Sequence, residues 1–169
     1  MLEAKRKELE ERRKRLQERL RQSQDETALQ PFRERLARAD VPYTLVEDAP
    51  LLEWVRDRFP ITPWNRVDWP RIAARYCLQI QEPSGSAPAT WLTELRSQEG
   101  LGDPLVAVLY ANASLPSLEM RLSDALAHLD VIIDYPWETW IFDQSSYWIF
   151  EYHHDGEFCW GRSPSVASW

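Results

Sequence analysis

Lysine is almost missing from this chain: Lys5, Lys7 and Lys14 are the only three in 169 residues. A body without lysine excludes Schiff-base and pyridoxal chemistry and any phosphate loop that depends on a lysine. Glycine is scarce too, with five in all, and neither GxGxxG nor GxxxxGK[ST] occurs, so nucleotide-phosphate loops are excluded. No apolar run approaches the roughly twenty residues that a membrane-spanning helix needs. The charged N-terminus lacks the apolar segment of a secretory signal. Cys77 and Cys159 are the only cysteines and have no metal-type spacing, so two reduced, buried thiols in a cytoplasmic protein are expected. Excess positive charge is absent as well. The formal net charge is −7, and because residues 1–26 hold nine bases and seven acids, the remainder carries −9. An acidic body repels phosphate backbones, which counts against nucleic acid as a partner.

Aromatic residues are abundant, and they are concentrated. Ten of the twenty lie between Tyr135 and Gly161, and Ser117–Gly161 holds nine acids against one base, Arg121. Large aromatics interleaved with carboxylates suit a surface that holds a basic partner. A set of aromatic core strands with a solvated acidic rim explains the same residues.

Periodicity divides the chain into a charged helix (1–26), one α+β domain (27–162) and a tail (163–169). In the first segment Glu3–Lys7, Glu8–Arg12, Glu10–Lys14 and Glu11–Arg15 are Glu-to-base pairs at i, i+4, each worth about 0.2–0.5 kcal/mol. Leu2, Leu9 and Leu16 make only half of a heptad seam, which favours an exposed helix over a coiled coil while leaving a homodimer open. Helices are expected over 26–39, from Asp48 to Phe59, from Asp68 to about residue 80, over 90–97, and from Ser114 to Asp130. Leu105–Ala111 reads as a strand, and Glu82–Ala89 as a flexible connector.

The end of the domain reads as an antiparallel meander over 139–143, 147–153 and 157–161, packed against helices. Asp155-Gly156 suggests a two-residue turn, which would pair residues whose numbers sum to 311. Both faces of such a hairpin are apolar, so one is expected on the helices and the other under a partner or the N-terminal helix.

Few residues suggest catalysis. His153-His154-Asp155 is the one cluster of catalytic type, and a hydrolase built on it is a third reading of the chain. Adjacent strand residues point to opposite faces, so the two histidines are not expected to share a metal ion. Ser145 and Ser146 have no GxSxG elbow around them and read as turn formers. No cofactor, metal or catalytic residue is assigned.

The stretch YPWETWIFDQSSYWIFEYHHDGEFCWGR (Tyr135–Arg162), with TPWNRVDWPRI (Thr62–Ile72) before it, resembles small bacterial immunity proteins, the antidotes of polymorphic and contact-dependent toxin systems. The resemblance spans about residues 60–162. It implies a cytoplasmic inhibitor that occludes a cationic toxin domain without chemistry, needing neither nucleic acid nor membrane. On that reading Asp134, Glu138, Asp143, Glu151, Asp155 and Glu157 meet the toxin, with Trp137 and Trp140 as anchors. An oligomeric scaffold assembled through the N-terminal helix is the alternative.

Overall fold

Valine, isoleucine and the aromatics favour extended backbone, because their bulk near Cβ packs well on a pleated surface. In the computed structural model they build the centre of a single antiparallel sheet. The structure describes residues 11–16, 29–80, 87–111, 115–134 and 138–164. Among the described residues there are seven strands: β1 (Thr44–Val46), β2 (Arg75–Gln79), β3 (Leu105–Tyr110), β4 (Ser117–Arg121), β5 (Thr139–Asp143), β6 (Trp148–Tyr152) and β7 (Glu157–Arg162). Their order is β1-β4-β3-β5-β6-β7-β2, with every neighbour antiparallel. The fold is α+β.

Helices cover both faces. Residues 29–38 form α1, followed by α2 (Asp48–Arg58), a 3-10 turn (Trp69–Arg71), α3 (Ala87–Gln98), α4 (Leu122–Ala127) and α5 (Leu129–Ile133). On the first face Phe32 and Leu36 of α1, Leu92 and Leu95 of α3, and α4–α5 bury Val106, Val108, Ile141, Trp148, Phe150, Phe158 and Trp160. On the second face Leu51 and Val55 of α2, with Phe59, Val67, Trp69 and Ile72, cover Leu109, Trp140, Phe142, Ile149 and Cys159. The second face was expected to await a partner or the N-terminal helix. Instead α2 and the segment after it close it. Asp48 Oδ1 ties α2 to the sheet by accepting the Ser117 N–H at 2.9 Å.

Two expected helices are strands over part of their length. Of the stripe Ile72, Tyr76, Ile80, the first follows a 3-10 turn, the second lies in β2 and the third follows β2, while Leu118 and Met120 lie in β4 and the helix begins only at Leu122. The cause is the same in both: apolar residues four apart satisfy a helix and also lie on one side of a strand. Pairing with β7 and with β1 and β3 decides for the strand. The expected 82–89 connector is α3 from Ala87 onward, and its first part lies outside the described residues. Of the N-terminal helix, residues 11–16 are helical and exposed, and the rest lies outside the described residues. Ser163, expected at the start of the tail, is buried, with its Oγ donating to the Arg58 carbonyl at 2.6 Å. Residues 165–169 lie outside the described residues.

The β6–β7 hairpin differs by one residue from the expected register. Partners sum to 310: Phe150 faces Trp160, Glu151 faces Cys159 and Tyr152 faces Phe158. His153 N–H donates to the Glu157 carbonyl, so the loop is three residues, His154-Asp155-Gly156, with Gly156 at φ +89. This is the three-residue turn with glycine in the left-handed position, the next most common hairpin after the two-residue type. A one-residue slip exchanges faces. Phe158 and Trp160 therefore join Trp148, Phe150 and Tyr152 on the first face, and Glu157 and Cys159 join Glu151 on the second.

Candidate functional site

The slip brings chemistry together. Across the second face one row runs Leu109, Trp140, Glu151, Cys159, Cys77 over β3, β5, β6, β7 and β2. At its centre Glu151 is 1% exposed. Its Oε1 accepts the Trp140 Nε1–H at 2.7 Å and the Val67 N–H at 3.0 Å, and its Oε2 accepts the Trp69 Nε1–H at 2.5 Å. The Arg66 guanidinium stands 4.0 Å from Oε2. Burial raises the carboxyl above the ordinary glutamate range, against the pull of the three N–H donors and Arg66. Glu151 thus fastens the Ile61–Val67 loop and Trp69 to the sheet. Trp140 and Glu151, expected at a toxin-binding surface, are interior residues, because β5 and β6 are covered on both faces.

Beside Glu151, Cys77 and Cys159 are joined by a disulfide across 82 residues. Reduced thiols were expected, and the sequence could not anticipate the bridge because Asp68–Ile80 reads as a helix. As directly opposed residues of β2 and β7, the two side chains leave the same face of neighbouring strands.

Asp143 is also buried rather than displayed. Its Oδ1 accepts from the Ser145 N–H at 2.8 Å and the Ser145 hydroxyl at 2.7 Å, so it shapes the β5–β6 turn. It also lines an open groove of about 390 Å³ with Leu105, Glu119, Arg121 and Phe142.

The remaining acids gather around the free end of the hairpin. Asp134 is exposed and pairs with Arg35 Nη1 at 2.5 Å. Glu157 pairs with Arg66. Glu138 Oε1 lies 3.0 Å from His153 Nε2 and 3.2 Å from His154 Nδ1. Asp155 Oδ1 is 2.6 Å from His153 Nδ1 and also accepts the Glu157 N–H at 3.1 Å. Burial opposes ionisation of Asp155, but the His153 and Glu157 bonds outweigh it, and the carboxyl lies below the usual range. The Tyr152 hydroxyl is pushed up by burial and by the charges of Asp134 and Asp155. Those two acids therefore act on one ring. Trp137 lies outside the described residues.

The two histidines meet the same carboxylate, with ring centroids 4.2 Å apart. They were expected on opposite faces. That rule holds within a strand, and His154 has already entered the turn, while His153 still pairs with Glu157.

The feature that the sequence did not single out is Trp64. It is 85% exposed, at the tip of the Ile61–Val67 loop. The loop is pinned by an Ile61–Val67 bridge, by Thr62 N–H to the Arg66 carbonyl at 2.7 Å, by Asp68 N–H to the Pro60 carbonyl at 2.7 Å, and by Glu151 beneath it. Asn65 sits at φ +62, a left-handed turn position that asparagine tolerates. The Thr62-Pro63-Trp64-Asn65 composition signals this turn, but exposure of the indole depends on packing. Among the described residues no helix is long and apolar enough to cross a membrane. No protein-family model matches the chain, and no curated protein matches it.

Proposed function

We propose that the protein is an immunity (antitoxin) protein that binds and neutralises a cognate, basic bacterial toxin domain. It acts by occlusion and performs no chemistry of its own. The observation that carries this reading is Trp64, a large amphipathic ring held out to solvent on a loop that is already ordered. An anchor whose loop is ordered in advance loses little conformational entropy on docking, and tryptophan is enriched among residues that dominate binding energy. Arg66, two residues on, ties the same loop to Glu157 at the acidic hairpin end. Asp134, Glu138, Asp155 and Glu157 then attract a cationic partner and speed its encounter, and Trp64 slows its release.

In this reading the N-terminal half is helical in character, and residues 1–24 form a long exposed helix that assists docking or stays clear of it. Residence in the cytoplasm belongs to the same reading.

The test is capture by the tagged full chain and by its Trp64→Ala variant, followed by assay of what is recovered. A basic protein held one-to-one by the natural chain, whose toxicity co-expression suppresses, is expected. Trp64→Ala should weaken that complex at least tenfold. An affinity unchanged by Trp64→Ala, or a recovered protein whose activity is not inhibited, would rule the reading out. Recovery of the chain alone as an oligomer that dissociates on deleting residues 1–24 would favour a scaffold instead.

A further inference from the structure

We propose that Glu138, His153 and His154 form a divalent-metal site of the zinc type at the end of the β5–β6–β7 meander. Extending the Thr139–Tyr152 pairing by one residue sets Glu138 opposite His153 on the second face, and the tight turn then swings His154 back toward the same carboxylate. The donor atoms of all three residues lie within 4.8 Å of one another. Glu138 Oε1 stands 3.0 Å from His153 Nε2 and 3.2 Å from His154 Nδ1. Donors bound tetrahedrally at roughly 2.0–2.1 Å from zinc are about 3.3 Å from each other, so the two contacts of Glu138 already have nearly the spacing of a coordination shell.

Asp155 Oδ1 lies 2.6 Å from His153 Nδ1, so this carboxylate holds the imidazole by its far nitrogen and turns Nε2 toward Glu138 Oε1, 3.0 Å away. A carboxylate that orients one imidazole nitrogen so that the other can bind metal is the usual outer-shell arrangement of histidine ligands. Two imidazoles with one carboxylate suit zinc and its neighbours better than calcium or magnesium, which prefer oxygen alone.

The side chains of His153 and Glu138 are 12% and 17% exposed, while that of His154 is 52% exposed. The site is therefore walled on the protein side and open beyond His154. That opening leaves a coordination position for water or for a ligand from outside. Glu157 belongs to Arg66, and Asp155 is engaged by His153, so neither supplies the fourth donor.

The decisive experiment is calorimetric titration of untagged, chelator-treated full chain with Zn²⁺ alone, in parallel with the visible spectrum of its Co²⁺ form. One ion per chain and a tetrahedral-type cobalt spectrum without sulfur charge-transfer bands are expected. His153→Ala, His154→Ala and Glu138→Gln should each weaken binding at least tenfold. Asp155→Asn should weaken it by about tenfold through misorientation of His153. His154 is exposed, so its replacement tests the site even where a His153 variant fails to fold. Binding that survives the His153→Ala/His154→Ala double variant, or that disappears in Cys77→Ser/Cys159→Ser instead, would assign the metal elsewhere and overturn the proposal. The absence of stoichiometric Zn²⁺ binding would overturn it as well.

Discussion

An ionised carboxylate in a protein interior is tolerated only where donors surround it, and Glu151 has three N–H groups on its two oxygens. Burial nevertheless raises its carboxyl above the ordinary value. The folded protein therefore holds that proton to a higher pH than the unfolded chain does. Stability must fall as pH rises from the ordinary glutamate value through the raised one. Denaturant midpoints measured between about pH 4.5 and 8 should show this decline in the natural chain, and Glu151→Gln should flatten it. Parallel slopes in the two proteins would mean that Glu151 has no raised value. Neither the burial nor the donors are legible in the sequence. Glu151 reads there as one acid among nine, because two of its donors, Val67 and Trp69, come from a segment more than 80 residues away.

At the scale of elements, the hairpin turn sets which residues can meet. Gly156 occupies φ +89, and a Cβ there would stand 2.2 Å from the Ile80 carbonyl oxygen. Gly156→Ala should lower stability by about 1–3 kcal/mol in chemical denaturation, since it adds backbone strain and a clash with the residue that follows β2. A loss under about 0.5 kcal/mol would show that the turn can adopt another register. Strand β2 lies at the edge of the sheet, fastened to β7 by hydrogen bonds and by Cys77–Cys159. Closing a loop of 82 residues should stabilise the fold by about 4–5 kcal/mol. Replacing both cysteines by serine should remove that amount and speed amide exchange in β2 ahead of β5 and β6. Uniform exchange across the sheet would show that the bridge does not hold the edge locally. Helices α1 to α3 were legible from apolar periodicity, and strands β3, β5, β6 and β7 from short apolar and aromatic runs. Strands β2 and β4 were hidden by apolar residues four apart, which fit both periods.

The whole molecule carries a formal charge of −7, with carboxylates massed at one end of the sheet. Two of them are already neutralised, Asp134 by Arg35 and Glu157 by Arg66. The attraction left for a basic partner is therefore weaker than the bare count of acids suggests, and it is concentrated near Asp155 and Glu138. The Asp134→Lys/Asp155→Lys double variant should weaken the partner complex by more than tenfold, chiefly through slower association, while the fold survives. The loss should shrink as salt rises, because exposed charges are screened over about 8–10 Å at ordinary ionic strength. An association rate indifferent to both charge reversal and salt would remove electrostatics from the proposed binding mode. Of the eight residues expected at the partner surface, Asp134, Glu138, Asp155 and Glu157 stand at the hairpin end, Trp140, Asp143 and Glu151 are interior, and Trp137 lies outside the described residues. Charge was readable from the sequence, but exposure was not.

By itself the sequence determined the fold class, the excess of acid, the scarcity of lysine and glycine, and the aromatic strands at the heart of the sheet. These follow from composition and short-range period, which are local properties. Only the tertiary structure decided the register of the β6–β7 hairpin, and with it the grouping of Glu151, Cys159 and Glu157 on one face. Both faces of that hairpin are apolar, so hydrophobic pattern could not distinguish one register from its neighbour, and the choice fell to the backbone of the turn. The same holds for the Cys77–Cys159 bridge, the donors around Glu151, the exposure of Trp64 and the meeting of two histidines on Glu138. Each joins segments, or faces of a segment, that no local period relates.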